Sequence, residues 1–216
     1  HSPSDQAARV DLVRSAENPD QRHNNCSGKH TGFLTLCKHL EAGLDYIDPD
    51  HPVQRAVRTA VEETTQETVS GFAIDGCSAP NFACSLAGLA RAMAHFANAP
   101  ADSAEAELAA AMVAHPLLVA GHGKSTAELM DACNGSAAVK TGAEGVYVGI
   151  LPGLGKGFAV KATCGTTRAA EAVTAALLSR LKVLDPNHPA ALKRNNRTIR
   201  NFAGLETGRM VARLGA

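Results

Sequence analysis

The fold class is decided by the segment Val146-Tyr147-Val148-Gly149-Ile150-Leu151-Pro152-Gly153-Leu154-Gly155-Lys156-Gly157-Phe158-Ala159-Val160-Lys161-Ala162. Residues 146–150 and 157–162 alternate or run apolar on either side of a stretch rich in Pro and Gly, which is typical of a β-hairpin. Helical patterns occupy most of the chain before and after it. We therefore predict an α+β fold in which helices flank an antiparallel sheet.

The helices are predicted from caps and from apolar residues at helical spacing. Pro52 suits the first turn of a helix, and an apolar stripe follows it through Val61. Residues 71–77 predict a short strand that runs into a turn at Asp75-Gly76. The segment after residue 181 is a polar tail with no clear period. Further helices are predicted at about residues 27–42, 86–96 with Ser85 as its cap, 103–114, 126–133 and 167–181.

Length and charge restrict the classes of function. The chain has 216 residues, enough for one domain with a sizeable core, and we expect residues 1–216 to form a single domain. Its 21 Lys and Arg balance 21 Asp and Glu, which gives no electrostatic reason to expect a nucleic-acid or membrane partner. We expect a cytoplasmic protein, because neither a membrane-spanning run nor a signal-peptide pattern is seen. The basic residues 193, 194, 197 and 200 are interpreted as solvated surface.

The cysteines do not form a disulfide pattern. The chain has six, at irregular spacing, and in a reducing compartment each is free to be buried, catalytic or metal-bound. Four of them lie on apolar patterns and are predicted to be core residues: Cys37, Cys84, Cys133 and Cys164. Cys26 and Cys77 lie instead in segments that are rich in glycine and polar side chains.

Three glycine-rich segments concentrate the reactive side chains: residues 26–30, 74–80 and 139–145. In the first, Cys26 lies at the start of a helix, where backbone N–H groups favour a thiolate, and Lys29 follows three residues later on the same face. The alternative is an ordinary helix cap in which Ser27 bonds the backbone and Cys26 is a small buried residue. The residues alone leave both interpretations open.

The third segment contains Lys140-Thr141-Gly142, the triplet found beside the nucleophile in serine β-lactamases and penicillin-binding proteins. Such an enzyme also needs a Ser-x-x-Lys element, in which a neutral amine takes the proton of the serine hydroxyl. The candidate for this element is Ser179-Arg180-Leu181-Lys182, which follows the triplet and is interpreted as a solvated helix end. A penicillin-recognising acyl-transferase is therefore the weakest of the alternatives.

Several motifs taken in order resemble the asparaginase II family, the group that includes the thermolabile rhizobial-type asparaginases. They are Asn24-Asn25-Cys26-Ser27-Gly28-Lys29-His30-Thr31-Gly32, Asp50-His51-Pro52-Val53-Gln54, Ile74-Asp75-Gly76-Cys77, His115-Pro116 with Val119-Ala120-Gly121, and Lys140-Thr141-Gly142-Ala143-Glu144-Gly145. Residues 157–168 resemble the later strand and helix start of the family. The resemblance covers nearly the whole chain.

The resemblance implies hydrolysis of L-asparagine to aspartate and ammonia by Ser-Lys chemistry, on a fold similar to serine β-lactamases and glutaminases. It also implies a zinc site whose ligands are Cys26, Lys29 and Cys77. Lys140 is implied to be the amine of a Ser-Lys pair, and Asp75 to be a further catalytic residue. The remaining site residues, which bind substrate or support the others, are Ser27, His30, Thr141 and Gly142. The family also allows a homodimer.

The chain departs from the family at its N-terminus. Members carry a longer N-terminal portion with an Arg-Ser-x-x-Lys-Pro segment and an Ala-Ser-His segment, and neither occurs in this sequence. We therefore expect an incomplete N-terminus, with the nucleophilic serines outside this chain. Two hypotheses follow, an asparaginase-type amidohydrolase and a non-catalytic zinc-binding fragment or pseudoenzyme of the same family. Asparagine turnover by the purified chain would distinguish them.

Overall fold

A computed structural model describes residues 1–215, which divide into two compact units. The first unit is His1–Gly88, and the second begins at Leu89. The boundary falls within the helix Leu86–Ala97. Within residues 1–215, no helix is long and apolar enough to cross a membrane.

The first unit contains three helices and a small hairpin. Helices α1, α2 and α3 span Gln6–Arg14, Ser27–His39 and Pro52–Thr65, and strands β1 (Phe72–Ile74) and β2 (Pro80–Phe82) pair antiparallel. His51 caps α3 by accepting a hydrogen bond from the Val53 N–H at its Nδ1 atom, 3.2 Å away. The apolar core of this unit is small and consists of Phe33, Cys37, Val53 and Ala79.

The second unit is built around an antiparallel sheet in the order β3-β4-β5. Strands β3 (Ala138–Thr141), β4 (Val146–Leu151) and β5 (Lys156–Lys161) form the sheet, and a 3₁₀ turn at Pro152–Leu154 closes the predicted hairpin between the last two. The helices of this part of the chain are α4 (Leu86–Ala97), α5 (Ala104–Ala114), α6 (Pro116–Ala120), α7 (Ser125–Ala132), α8 (Thr167–Arg180) and α9 (Pro189–Leu192).

Helices α7 and α8 pack on the sheet and bury its largest side chains. Tyr147, Leu129, Leu151 and Leu178 are each completely buried in one apolar cluster. The Tyr147 hydroxyl is hydrogen-bonded to the hydroxyls of Ser125 at 3.1 Å and Thr126 at 2.9 Å, so its polar atom has partners inside the core. The predicted α+β class, with helices flanking an antiparallel sheet, is confirmed.

Three features differ from the sequence-based expectations. The polar tail forms a hairpin of β6 (Arg197–Arg200) and β7 (Glu206–Met210), in addition to α9. Arg194 is not solvated: it is 5% exposed and forms an ion pair with Glu128 of α7, which also binds Lys193 at 2.7 Å. Cys37 and Cys133 are buried as predicted, whereas Cys84 and Cys164 are exposed, so the core assignment is wrong for these two.

Candidate metal centre

The first part of the site is the start of α2. Cys26 is the N-cap residue and its side chain makes no capping hydrogen bond, while its backbone N–H donates to the Asn24 Oδ1 atom at 2.7 Å. Ser27 is the first residue of the helix. Because the Asn24 side chain fixes the chain at this point, the Cys26 thiol is not needed as a cap and is available for other contacts.

The second part of the site is the turn that joins β1 to β2. The Asp75 N–H donates to the Ala79 carbonyl at 2.9 Å, and the Ser78 N–H donates to the Asp75 carbonyl at 2.8 Å. Ser78 has a φ of 73°, a left-handed conformation that tight turns require. This compact turn presents the side chains of Asp75 and Cys77, two residues apart.

The two parts meet in a cluster of four side chains, Cys26, Lys29, Asp75 and Cys77. The two sulfur atoms and a carboxylate oxygen of Asp75 all lie within 4.8 Å of one another. The Lys29 ammonium donates to the Cys77 Sγ atom at 3.1 Å and lies 3.5 Å from the Asp75 Oδ2 atom. The Cys77 thiol donates to the same Oδ2 atom at 3.2 Å. We call these four residues the thiol–amine cluster.

Burial and charge act in opposite directions on the pKa values of the cluster. Burial raises the pKa of the Cys26 thiol, and the charge of Lys29 opposes this only in part. For Lys29, burial lowers the pKa, but the hydrogen bond to Cys77 and the nearby acidic groups outweigh it and the net pKa is raised. Hydrogen bonds from the Cys77 thiol and the Gly76 N–H lower the pKa of Asp75. Lys29 is thus an ammonium held by acceptors.

The thiol–amine cluster contains donor atoms of the types that bind metal ions. Zinc prefers sulfur and nitrogen ligands, and two sulfurs bound to one zinc are at most about 4.6 Å apart, twice a Zn–S bond of about 2.3 Å. The Cys26 and Cys77 sulfur atoms lie within 4.8 Å of each other. Lysine is an uncommon ligand, and Lys29 would have to lose its proton to bind a metal.

His30 and Tyr46 form a second layer beside the cluster. The His30 Nδ1 atom lies 2.9 Å from the Tyr46 hydroxyl, and the His30 ring also makes edge contacts with Phe33 and Tyr46. The Gln54 side-chain amide donates to the Tyr46 carbonyl at 2.7 Å. Burial, followed by the charge of Lys29, lowers the pKa of His30. Gln54 therefore holds Tyr46, which positions the His30 ring, while burial and the charge of Lys29 favour the neutral form of His30.

A cavity of about 600 Å³ in the first unit borders this layer and the cluster. Ser27 and His30, both predicted as site residues, lie in its wall together with Cys77. The wall also contains polar residues that were not predicted from the sequence, namely Asp20, Asn24, Asp45, Tyr46 and Ser78. A cavity with this wall can hold a small polar molecule by hydrogen bonds.

The model of the family described as L-asparaginase II matches residues 1–212. The chain belongs to the L-asparaginase II family. At the level of the family it is an asparaginase-type amidohydrolase, as the sequence motifs predicted. No match was found among the curated proteins that were compared.

The remaining residues implied by the L-asparaginase II motifs lie in the second unit. Lys140 is on β3, an edge strand of the sheet, where its side chain is exposed and its ammonium donates to the Thr141 carbonyl at 2.7 Å. The Gly142 N–H donates to the Val146 carbonyl at 2.8 Å. The structure therefore brings Cys26, Lys29, Asp75 and Cys77 together, and places Lys140, Thr141 and Gly142 together in the other unit.

Proposed function

We propose that this chain belongs to an enzyme that hydrolyses the side-chain amide of L-asparagine to aspartate and ammonia, and that it binds zinc at the thiol–amine cluster. The main support is the convergence of Cys26, Lys29 and Cys77. Lys29 and Cys77 are 48 positions apart in the chain, yet their side chains are in contact. Membership of the L-asparaginase II family supports the class of reaction.

In this proposal Cys26 and Cys77 bind zinc as thiolates and Lys29 binds it as a neutral amine. Zinc, when bound, supplies a Lewis acid and a fixed positive charge at this point. Before a metal binds, Asp75 accepts hydrogen bonds from the Cys77 thiol and the Gly76 N–H and pairs with the Lys29 ammonium, so its carboxylate holds two of the three ligands in position. A carboxylate in this position can also accept a proton that a ligand gives up.

Substrate is proposed to occupy the cavity beside the cluster. Ser27, His30 and Tyr46 in its wall offer hydroxyl and imidazole groups that can bind the amide, carboxylate and amino groups of asparagine. The cavity of about 600 Å³ lies within the usual size range for small-molecule sites, roughly 300–1,000 Å³. Thr141 and Gly142 follow Lys140 at the end of β3, and we propose that they fix the position of Lys140.

Lys140 is proposed to be the base of a Ser-Lys pair whose serine is supplied by a family-type N-terminal portion. Ser27 is a poor candidate for this nucleophile, because its two neighbours with basic side chains are engaged elsewhere. Lys29 is hydrogen-bonded to Cys77, and His30 to Tyr46. An amide hydrolase needs its nucleophile and its base within hydrogen-bond reach.

One set of proteins tests the reaction. Ammonia release from L-asparagine is measured for the 216-residue chain, for the chain preceded by a family-type N-terminal portion, and for that longer form with Lys140→Ala. We expect little or no turnover by the chain alone, turnover by the longer form, and a loss of about 10²-fold or more with Lys140→Ala. Robust turnover by the chain alone that is lost on Ser27→Ala would move the nucleophile to Ser27.

The same activity test distinguishes the second candidate function, a zinc-binding member without catalytic activity. The exposure of Lys140 on an edge strand favours this candidate, because a lysine that acts as a base is usually found in a desolvated pocket. If the longer form binds asparagine and zinc but releases no ammonia, the non-catalytic function is correct.

Metal analysis tests the zinc site independently of activity. We expect about one zinc per chain in protein purified without chelator, as for a single set of sulfur and nitrogen ligands. Cys77→Ser should remove most of this zinc. The matched control is Cys84→Ser, because Cys84 is an exposed cysteine of the same unit outside the cluster. Equal zinc in the Cys77→Ser and Cys84→Ser variants would contradict the site.

A further inference from the structure

We infer that Cys26 and Cys77 form a site of oxidative modification, in which hydroperoxides convert the two thiols into an intramolecular disulfide. The inference rests on the position of the two sulfur atoms and does not require amide hydrolysis. Its competition with metal binding, described below, rests on the proposed zinc site.

Cys26 and Cys77 differ from the other four cysteines because the sulfur atom of each lies close to the sulfur atom of the other. The Cys26 and Cys77 sulfur atoms lie within 4.8 Å of each other, and both side chains are only partly buried. Cys37 and Cys133 are buried, while Cys84 and Cys164 are exposed. Cys26 and Cys77 thus combine a nearby partner thiol with access for a small oxidant.

The elements that carry the two cysteines allow the small movement that a disulfide requires. A disulfide has an S–S bond of about 2.05 Å and needs Cβ atoms about 3.5–4.5 Å apart. Cys26 is the N-cap residue of α2, outside the regular part of the helix. Cys77 lies in the turn between Ile74 and Pro80, outside the paired residues of the hairpin. Rotation of the two side chains and a small shift of this turn can close the bond.

The chemistry proceeds in two balanced steps. One thiol attacks the peroxide, the O–O bond breaks, and the products are a sulfenic acid and one molecule of water or alcohol. The second thiol then attacks the sulfenic sulfur, the S–S bond forms, and the hydroxyl group leaves as water with the thiol proton. The two sulfur atoms lose two electrons in total, and the peroxide is reduced by two electrons.

The disulfide and the proposed zinc site exclude each other. A sulfur atom in a disulfide has no thiolate charge with which to bind zinc, and a zinc-bound thiolate is less available to attack a peroxide. In the reduced pair, Lys29 donates to the Cys77 sulfur and the Cys77 thiol donates to Asp75. The redox state of two side chains would therefore determine whether the cluster can hold a metal.

The test treats the reduced, chelator-washed chain with hydrogen peroxide and counts thiols after denaturation. The chain has six cysteines, and formation of the disulfide should leave four, six minus the two that are joined. Peptide mass spectrometry should find one cross-linked pair, between the peptides that contain Cys26 and Cys77. Cys26→Ser should abolish this pair, while Cys84→Ser should retain it, with circular dichroism confirming that both variants are folded.

Two results would overturn the inference. One is a chain that keeps all six thiols or carries only single-cysteine oxidation products at Cys26 and Cys77. The other is a cross-link that involves Cys84 or Cys164 in place of the expected pair. Zinc uptake is measured on a separate portion of the same reduced protein, after zinc is added and the unbound ion is removed. A chain that takes up no zinc but forms the Cys26–Cys77 disulfide would refute the metal site and leave this inference standing.

Discussion

The two units of the molecule are stabilised in different ways. The second unit buries a large apolar cluster that includes Leu129, Leu151 and Leu178. The apolar cluster of the first unit has four buried residues, and this unit also contains a polar cavity and the thiol–amine cluster. Apolar burial is the main driving force of folding, so the second unit should contribute more of the stability and the first unit more of the chemistry.

This contrast shows which unit contains the side chains that reduce the free energy of unfolding. Partly buried thiols, an ammonium and a carboxylate stabilise a fold less than the same volume of apolar side chains. In this chain they are concentrated in the unit with the smaller core. The difference can be tested by substitutions that are matched between the two units.

The largest effect is expected from Leu129→Ala in the second unit. Leu129 is completely buried, and its truncation leaves a cavity, so we expect the free energy of unfolding to fall by about 4 kcal/mol. Urea unfolding followed by circular dichroism measures the change, and hydrogen exchange should place it in residues 89–215. Leu118→Ala is the control, because Leu118 is 85% exposed and its loss should cost less than about 0.5 kcal/mol. A loss below about 1 kcal/mol for Leu129→Ala would contradict the importance of this core.

A smaller effect is expected from Glu128→Gln. This change leaves the buried guanidinium of Arg194 without its carboxylate, and we expect a loss of about 3 kcal/mol at pH 7. Glu206→Gln is the matched control, since Glu206 pairs with Arg209 on the exposed surface and its loss should cost about 0–1 kcal/mol.

The effect of Glu128→Gln should depend on pH. Burial opposes ionisation of Glu128, but its hydrogen bonds and ion pairs with Lys193 and Arg194 outweigh this and lower its pKa. A lowered pKa means that the stabilisation is complete above the unfolded value of about 4.3 and is lost as the pH falls through the lower folded value. The difference between wild type and Glu128→Gln should therefore shrink in acid. A difference that stays constant from pH 7 to the acid transition would exclude the ion pair as its cause.

The smallest effects are expected from the two tyrosines, one in each unit. Tyr147→Phe removes a buried hydroxyl that serves both Ser125 and Thr126, and should cost about 2 kcal/mol. Tyr46→Phe removes one hydrogen bond, to His30, in a half-buried position and should cost about 1 kcal/mol. Urea unfolding of the two variants measures both values. The reverse order would show that the polar layer of the first unit is more important than its small core suggests.

Much of the fold could be predicted from the sequence because its elements carry strong local signals. Pro52 and the apolar stripe after it predict α3, Ser103 caps α5, and the apolar runs around the Pro/Gly stretch predict β4 and β5. The hairpin of β6 and β7 was missed because most of its side chains are exposed, so no alternation of apolar and polar residues marks it. Helix α1 was missed for the same reason, since Leu12 is its single buried residue.

The site could be predicted only where short motifs carry its residues. Cys26, Lys29, Asp75 and Cys77 lie in such motifs, and the structure brings them together. Tyr46 and Asp45 reach the cavity through the path of the chain between α2 and α3, for which the sequence has no local signal. The burial of Arg194 likewise depends on Glu128, which is far from it in the chain.

The Lys29 ammonium gives the cluster a built-in counterion. The ammonium carries a positive charge at the position that a bound metal ion would occupy. The acidic side chains around it are therefore paired with a cation even when no metal is bound. At the proposed zinc site, entry of a metal would therefore release three protons, one each from Cys26, Cys77 and Lys29. Uptake should therefore be slower than at a preformed anionic site, where fewer protons have to leave.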